Sequence, residues 1–212
     1  MSYSVEVKKA NRSAFARAII AHGAGAGKSS DFIQQVAIGL SESDVEVVLF
    51  DFPYMQIIEH TGKRRPPDRM PKSEAHFQDI ILHIKQQYSP LPTFIGGKSM
   101  GGRVSTLIAD DVDIEGGIVY GYPFHPPGKP EKTRTEHLKT LSTPYLILQG
   151  ERDPFGTAHE IQDYSLSTSI QIDFMPNGEH SFKPLKASGL SQQDNINSAI
   201  DKTVQFIKTR CS

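Results

Sequence analysis

Residues 93–101 read Thr-Phe-Ile-Gly-Gly-Lys-Ser-Met-Gly, and this stretch decides the fold. It begins as an apolar, β-prone run, and the residues after Gly101 have the spacing of a helix. Between the two, residues 97–101 fit the pattern G-x-S-x-G with Ser99 at its centre. A serine on a sharp turn from a strand into a helix is the arrangement of a nucleophile elbow.

The two glycines of this pattern have a steric role. The serine of such a turn occupies a strained backbone conformation, and a Cβ two residues before or after it would strike a neighbouring strand or helix. The turn is expected to hold the Ser99 hydroxyl out at the carboxyl end of its strand. Ser99 is therefore the predicted nucleophile.

Short β-prone runs alternate with longer segments of helical spacing on both sides of this turn. The alternation predicts an α/β fold, a mostly parallel sheet of about seven strands with helices on both faces. The predicted strands cover residues 4–7, 15–21, 45–50, 93–97, 117–120, 145–149 and 170–175. Helices are predicted over residues 31–40, 73–88 and about 194–209, and loops over 53–72 and the proline-rich 122–132.

A candidate acid and a candidate base each follow a later predicted strand. Asp153 lies in a turn just after residues 145–149, and His180 has the same relation to residues 170–175. Serine, acid and histidine in this chain order predict a catalytic triad. His180 would take the proton of Ser99 during attack, and Asp153 would fix the tautomer of the imidazole.

The stretch HGAGAGKSS, residues 22–30, follows an early predicted strand and is interpreted as part of an oxyanion hole. A tetrahedral oxyanion needs backbone donors, and one is the N–H of the residue after the nucleophile, Met100. The N–H of Ala24 is the predicted second donor. His22 is interpreted as a hydrogen-bonding strut for this loop.

A phosphate-binding loop is the alternative interpretation of the same stretch. That motif needs G-x-x-x-x-G-K-[ST], but the position five residues before Gly27 is His22 rather than glycine. The apolar run 47–50 followed by Asp51 favours a nucleotide site, because such a strand holds Mg²⁺ in phosphotransfer enzymes. We interpret Lys28 as the start of the following helix and Asp51 as a turn or capping residue.

The composition excludes several classes of protein. With 212 residues, 37% hydrophobic content and a formal net charge of −1, the chain lacks the basic excess of a nucleic-acid-binding protein. No apolar run approaches the roughly eighteen residues of a membrane span, and the first residues lack the apolar core of a signal peptide. We expect one cytoplasmic domain over residues 1–212 that acts on a small molecule, without nucleic-acid or membrane partners.

Five stretches together resemble the α/β-hydrolase superfamily. They are HGAGAGKSS at 22–30, GKRRPP at 62–67, GKSMGGR at 97–103, GYPF at 121–124 and QGERD at 149–153. They look like a group of small bacterial hydrolases similar to dienelactone hydrolase and to the hydrolase-like domain in a subunit of an animal chromatin-acetylating complex. The resemblance implies an α/β-hydrolase fold, no metal, no cofactor and a Ser99, Asp153, His180 triad. It implies little about substrate, because the superfamily contains esterases, thioesterases, peptidases and non-catalytic members.

The segment 122–132 corresponds to the place where many members of this fold carry a lid domain, and it is too short to form one. An open site favours a small or polar ester or thioester, and Tyr122, Phe124 and Phe155 are predicted to line an acyl pocket. The basic residues 63–65 with Arg69 are either a solvated loop or an anion-binding segment. The alternative function is a binding or scaffold module that keeps the fold without turnover.

Overall fold

The computed structural model describes residues 3–211. Its strands are β1 (Val5–Lys8), β2 (Ala16–Ala21), β3 (Val45–Phe50), β4 (Thr93–Lys98), β5 (Gly116–Tyr120), β6 (Tyr145–Gly150) and β7 (Ile170–Met175). Its α-helices are α1 (Asp31–Glu42), α2 (Pro53–Thr61), α3 (Met70–Gln87), α4 (Met100–Ile108), α5 (Ala158–Ile161) and α6 (Gln192–Arg210). The strands form one sheet of seven in the order β1-β3-β2-β4-β5-β6-β7.

All neighbouring strands are parallel except β1, which runs antiparallel to β3 at the edge. The chain builds outward from β2 to β3 and then crosses back to β4 on the other side of β2. In an open parallel sheet, ligands bind outside the carboxyl ends of the strands at this reversal of direction. The ends of β2 and β4 are therefore where a site is expected.

Helices cover both faces of the sheet, which explains why β2, β3, β4 and β6 are buried at every position. Successive strand residues face opposite sides, so Ile20 packs with α1 and α6 whereas Ile19 packs with α2, α3 and α4. The predicted α/β fold, a mostly parallel sheet of seven strands with helices on both faces, is confirmed.

The loop predicted over residues 53–72 is wrong in part, because it contains α2 and the first turn of α3. Pro53 and Pro71 stand in the first turns of these helices, where a missing N–H leaves no hydrogen bond unmade. The predicted start of α3 at Ser73 is accordingly three residues late. Residues 122–132 contain neither helix nor strand, as predicted. No helix within residues 3–211 is both long and apolar enough to cross a membrane.

Candidate active site

Ser99 lies in the turn between β4 and α4 with φ 51° and ψ −112°, a conformation that L residues rarely adopt. Its N–H donates to Tyr120 O at 3.1 Å, which ties the turn to β5. A Cβ at Gly97 would lie 2.4 Å from Ala21 O, and one at Gly101 would lie 2.5 Å from His22 O. This backbone conformation costs about 1–3 kcal/mol. The main chain packed against Gly97 and Gly101 holds the turn in it, and only glycine at these two positions permits such close packing.

The structure brings the three predicted triad residues together. His180 Nε2 lies 2.9 Å from Ser99 Oγ, and His180 Nδ1 lies 2.7 Å from Asp153 Oδ2. With the proton on Nδ1, the ring donates to the carboxylate and accepts the hydroxyl proton of Ser99. This is the geometry that proton abstraction from a serine requires.

Asp153 is fully buried, and its carboxylate is fixed by donors other than His180. Phe155 N–H donates to Oδ1 at 2.8 Å, and Gln149 Nε2 donates to Oδ2 at 3.0 Å. Gln149 is itself buried and held by Tyr122, whose N–H donates to Gln149 Oε1 at 2.7 Å. The orientation of the acid therefore depends on β6 and on the segment after β5 together.

The loop after β2 is held through its carbonyl groups. His22 Nδ1 donates to Gly23 O at 2.7 Å, and Tyr54 Oη donates to Gly23 O at 3.3 Å and Ala24 O at 3.2 Å. His22 Nε2 accepts the N–H of Phe52 at 3.0 Å, and burial lowers the pKa of His22, so the ring is neutral. His22 has the contacts of the strut that the sequence predicts.

Ala24 and Met100, the predicted oxyanion donors, line one cavity with Ser99. Neither N–H donates a hydrogen bond to another residue within the described part of the chain. Both amides are therefore available to an oxygen atom bound beside Ser99 Oγ.

This cavity has a volume of about 300 Å³. Its lining comprises Ala24, Met70, Ser99, Met100, Arg103, Pro123, Arg134 and Phe155. A larger cavity of about 470 Å³ lies near Arg17 and Thr93, at the amino ends of β2 and β4 and away from the triad. The smaller cavity is the candidate site because it holds the hydrogen-bonded serine.

The prediction that three aromatic residues line the pocket needs correction. Phe155 lines the cavity, and its ring lies 4.3 Å from the His180 ring between centroids. Tyr122 and Phe124 are fully buried and pack on each other at 4.7 Å, in the core beneath α5. Their side chains do not line the cavity.

Lys28 does not start a helix, because α1 begins at Asp31. Its N–H donates to Asp51 Oδ1 at 2.8 Å, and its ammonium pairs with Asp51 Oδ2. Asp51 is 1% exposed, so the two residues form a largely buried ion pair. The lysine that suggests a phosphate site is engaged in holding the loop. Among residues 3–211, no group of His, Cys, Asp or Glu side chains could hold a metal ion.

The basic residues 63–65 and Arg69 are exposed, and none of them lines the cavity. The next residue, Met70, does reach the cavity at the start of α3. The loop thus passes beside the site with its charges toward solvent.

The sequence analysis does not identify Lys98, the residue before Ser99, as part of the site. Its side chain is only 8% exposed, its Nζ donates to His180 O at 2.6 Å, and it lies 5.5 Å from the centroid of the Phe32 ring. Burial lowers the pKa of Lys98 to about 8. A lysine in an otherwise apolar strand indicates that this residue has a special role, but the sequence pattern does not predict its hydrogen-bond partner.

Comparisons with known proteins identify a family and several solved structures with a similar fold. A family model described as an alpha/beta hydrolase domain matches residues 14–208. A serine hydrolase without a lid from Xanthomonas campestris is similar at 18% identity, over 95% of this chain and 87% of that chain, with a TM-score of 0.74.

Two further solved structures are similar. One is an alpha-beta serine hydrolase homologue from Coxiella burnetii, at 15% identity over 96% of this chain and 88% of that chain, with a TM-score of 0.70. The other is dienelactone hydrolase from Anabaena variabilis, at 19% identity over 93% and 88%, with a TM-score of 0.67. At identities this low, these likenesses concern the fold alone.

Proposed function

The chain belongs to the alpha/beta hydrolase domain family, and we propose that it is a serine hydrolase that cleaves a small or polar carboxylic ester or thioester through an acyl-enzyme on Ser99. The observation that carries the proposal is the hydrogen-bonded series Ser99, His180 and Asp153, with distances of 2.9 Å and 2.7 Å. A serine hydroxyl is a weak nucleophile at neutral pH, and this series supplies the base that it needs.

In the first half-reaction, Ser99 Oγ attacks the carbonyl carbon while His180 Nε2 takes the hydroxyl proton. The imidazolium is stabilised by Asp153, which is buried and accepts the proton of Nδ1 in a hydrogen bond. The N–H groups of Ala24 and Met100 hold the oxyanion. Its collapse expels the alcohol or thiol, which takes the proton from His180.

In the second half-reaction, a water molecule takes the place of the alcohol. His180 removes a proton from this water as it attacks the acyl-enzyme, and returns the proton to Ser99 Oγ when the acid leaves. The enzyme is regenerated without a cofactor or a metal ion in either step.

The size of the substrate follows from the shape of the site. A cavity of about 300 Å³ is at the small end for ligand pockets. Residues 121–144, between β5 and β6, contain only a short 3₁₀ helix, Glu136–Lys139, among the described elements. Nothing in this segment encloses a long acyl chain, which favours short or polar acyl groups.

Hydrolysis of a series of p-nitrophenyl esters, from acetate to decanoate, tests the proposal. We expect saturable turnover that is highest for the short chains and is lost in Ser99→Ala and His180→Ala. Ser13→Ala is a matched control, because Ser13 is exposed and precedes β2 at the end opposite the site. Absence of turnover with every ester and with a short thioester, in a folded protein, would favour the binding or scaffold module.

The remaining expectations are part of the same proposal. They are a cytoplasmic location, a single domain over residues 1–212 and the absence of nucleic-acid and membrane partners. The narrower resemblance to the hydrolase-like domain of the animal chromatin-acetylating complex stays a prediction.

A further inference from the structure

Two arginine side chains, Arg103 and Arg134, line the same cavity as Ser99. We propose that they form an anion-binding subsite, which selects esters whose acyl or alcohol part carries a carboxylate. The inference rests on the proposed function and names the substrate class of that site. Four observations carry it.

Arg103 stands one helical turn beyond the nucleophile. Its N–H donates to Ser99 O at 2.9 Å. Both residues line the same cavity of about 300 Å³. A group bound by the Arg103 guanidinium is thus a few bonds away from an ester carbonyl at Ser99.

Within residues 3–211, Arg103 Nε has no hydrogen-bond partner, although it is closed off from solvent. A buried N–H of a charged group is costly to leave unpaired. The protein therefore offsets the charge of Arg103 incompletely, and the part of this side chain that lines the cavity can pair with a bound anion.

Arg134 is held rigidly by its main chain. Its N–H donates to Phe124 O at 2.7 Å, and its carbonyl oxygen accepts from Tyr122 Oη at 2.8 Å. Tyr122 and Phe124 are fully buried, so they fix the Arg134 backbone to the core. The two aromatic residues that the sequence predicts in the pocket thus fix the main chain of a residue whose side chain lines it.

The two guanidinium groups have no negative counterpart. Burial and the charge of Arg103 lower the pKa of Arg134, as expected for like charges close together. No carboxylate forms an ion pair with Arg103 or Arg134 among residues 3–211, whereas the buried Arg17 pairs with Glu46 at 2.7 Å. His137, beside Arg103, has a pKa lowered to about 4 by burial and by that charge, so it is neutral at pH 7.

A carboxylate fits this pair because each guanidinium can donate two parallel N–H groups to its oxygens. It would offset both charges and accept from the guanidinium N–H groups that face the cavity. The basic residues 63–65 offer no comparable arrangement, since they are exposed and outside the cavity.

The test compares esters of matched shape that differ in charge. Methyl hemisuccinate is paired with methyl butyrate for a carboxylate on the acyl side, and carboxymethyl acetate with propyl acetate for the alcohol side. Hydrolysis is followed by pH-stat. We expect kcat/KM for at least one charged ester to exceed that of its neutral partner by about 10- to 100-fold, the range that charge-assisted hydrogen bonds supply.

Variants assign this preference to residues. Arg134→Gln is expected to reduce the charged-to-neutral ratio by about tenfold or more, and Arg134→Lys to retain part of it. The matched control is Arg65→Gln in the exposed basic run. A ratio near one in the wild type, or a ratio that falls in Arg65→Gln and not in Arg134→Gln, overturns the inference.

A binding measurement separates this inference from the proposed function. Methyl hemisuccinate and methyl butyrate are titrated into Ser99→Ala protein, with and without Arg134→Gln, and followed by NMR. We expect tighter binding of the charged ester, weakened by Arg134→Gln. Equal binding of both esters overturns the subsite even when the wild type hydrolyses methyl butyrate. Absence of all hydrolysis, with charge-selective binding retained, contradicts only the proposed function.

Discussion

Lys98 Nζ lies 2.6 Å from the main-chain carbonyl oxygen of His180, so a buried ammonium ties the strand that precedes Ser99 to the loop that carries His180. The loop follows β7, at the far end of the sheet from β1. No strand contact joins β4 to β7, because β5 and β6 stand between them. We therefore expect Lys98 to position His180 without touching a reacting atom.

Replacing Lys98 with methionine is expected to lower kcat by about tenfold or more and to change KM little. Small displacements of a catalytic group cost rate steeply, whereas the substrate cavity does not include this side chain. Steady-state kinetics with a short ester measure both constants. An unchanged kcat in a folded Lys98→Met protein would show that the hydrogen bond does not position His180.

The pH dependence of unfolding provides a second readout for Lys98. Burial lowers the pKa of Lys98 to about 8, whereas the unfolded chain keeps an ordinary value near 10.5. Between these values the unfolded state binds more protons, so this residue makes the folded state more stable as the pH rises from 8 toward 10, by up to about 3 kcal/mol. The difference between wild type and Lys98→Met in chemical denaturation should show this rise, and a flat difference would contradict it.

Asp153→Asn is expected to lower kcat by about 10³- to 10⁴-fold while the protein stays folded. The neutral amide can no longer stabilise the imidazolium that forms at His180 during attack. It has one oxygen, which cannot serve both the Phe155 N–H at the Oδ1 position and the Gln149 and His180 donors at the Oδ2 position. Asp173→Asn, in a half-exposed pair with Lys202, is the control that should retain activity. Retained kcat in Asp153→Asn would assign the acid to another residue.

Ala24→Pro removes one proposed oxyanion donor and should lower kcat by about 10²- to 10³-fold. Ala24 is exposed, so the substitution leaves the core intact. Ala24→Gly keeps the N–H and is expected to retain most of the activity. If both variants lose activity equally, the loop conformation matters and the N–H does not.

Lys28→Met should destabilise the protein by about 3 kcal/mol, because it leaves the buried Asp51 carboxylate without its countercharge. Adding Asp51→Asn should recover much of this loss, since the charge itself is removed. Denaturant unfolding of the single and double variants measures the coupling. A stable Lys28→Met protein, together with thermal stabilisation of the wild type by ATP and Mg²⁺, would favour the phosphate site instead.

Local patterns in the sequence predict most of the fold and the three side chains, Ser99, Asp153 and His180, that the structure brings together. The strands are continuous apolar runs, and residues 97–101 impose a turn with few alternatives. Asp153 and His180 are predictable because each follows a strand that the pattern identifies. Because β4, β6 and β7 run parallel, their carboxyl ends lie at one edge of the sheet, and Asp153 and His180 therefore lie at the same edge as Ser99.

Contacts between distant parts of the chain are not predictable in this way. Lys98 and His180 are 82 residues apart in the sequence. Tyr54, which hydrogen-bonds to the loop after β2, lies in a segment that the sequence analysis predicts to be a loop. The inward direction of Tyr122 and Phe124 depends on core packing under α5. Apolar character alone fits a pocket wall and a core residue equally well.

Reaction with a fluorophosphonate probe, followed by intact-mass measurement and peptide mapping, tests most directly whether Ser99 is an activated nucleophile. We expect one added probe per chain, located on Ser99, with labelling lost in Ser99→Ala and strongly slowed in His180→Ala. Labelling that persists in Ser99→Ala, or a wild type that does not react, would contradict the claim that Ser99 is an activated nucleophile.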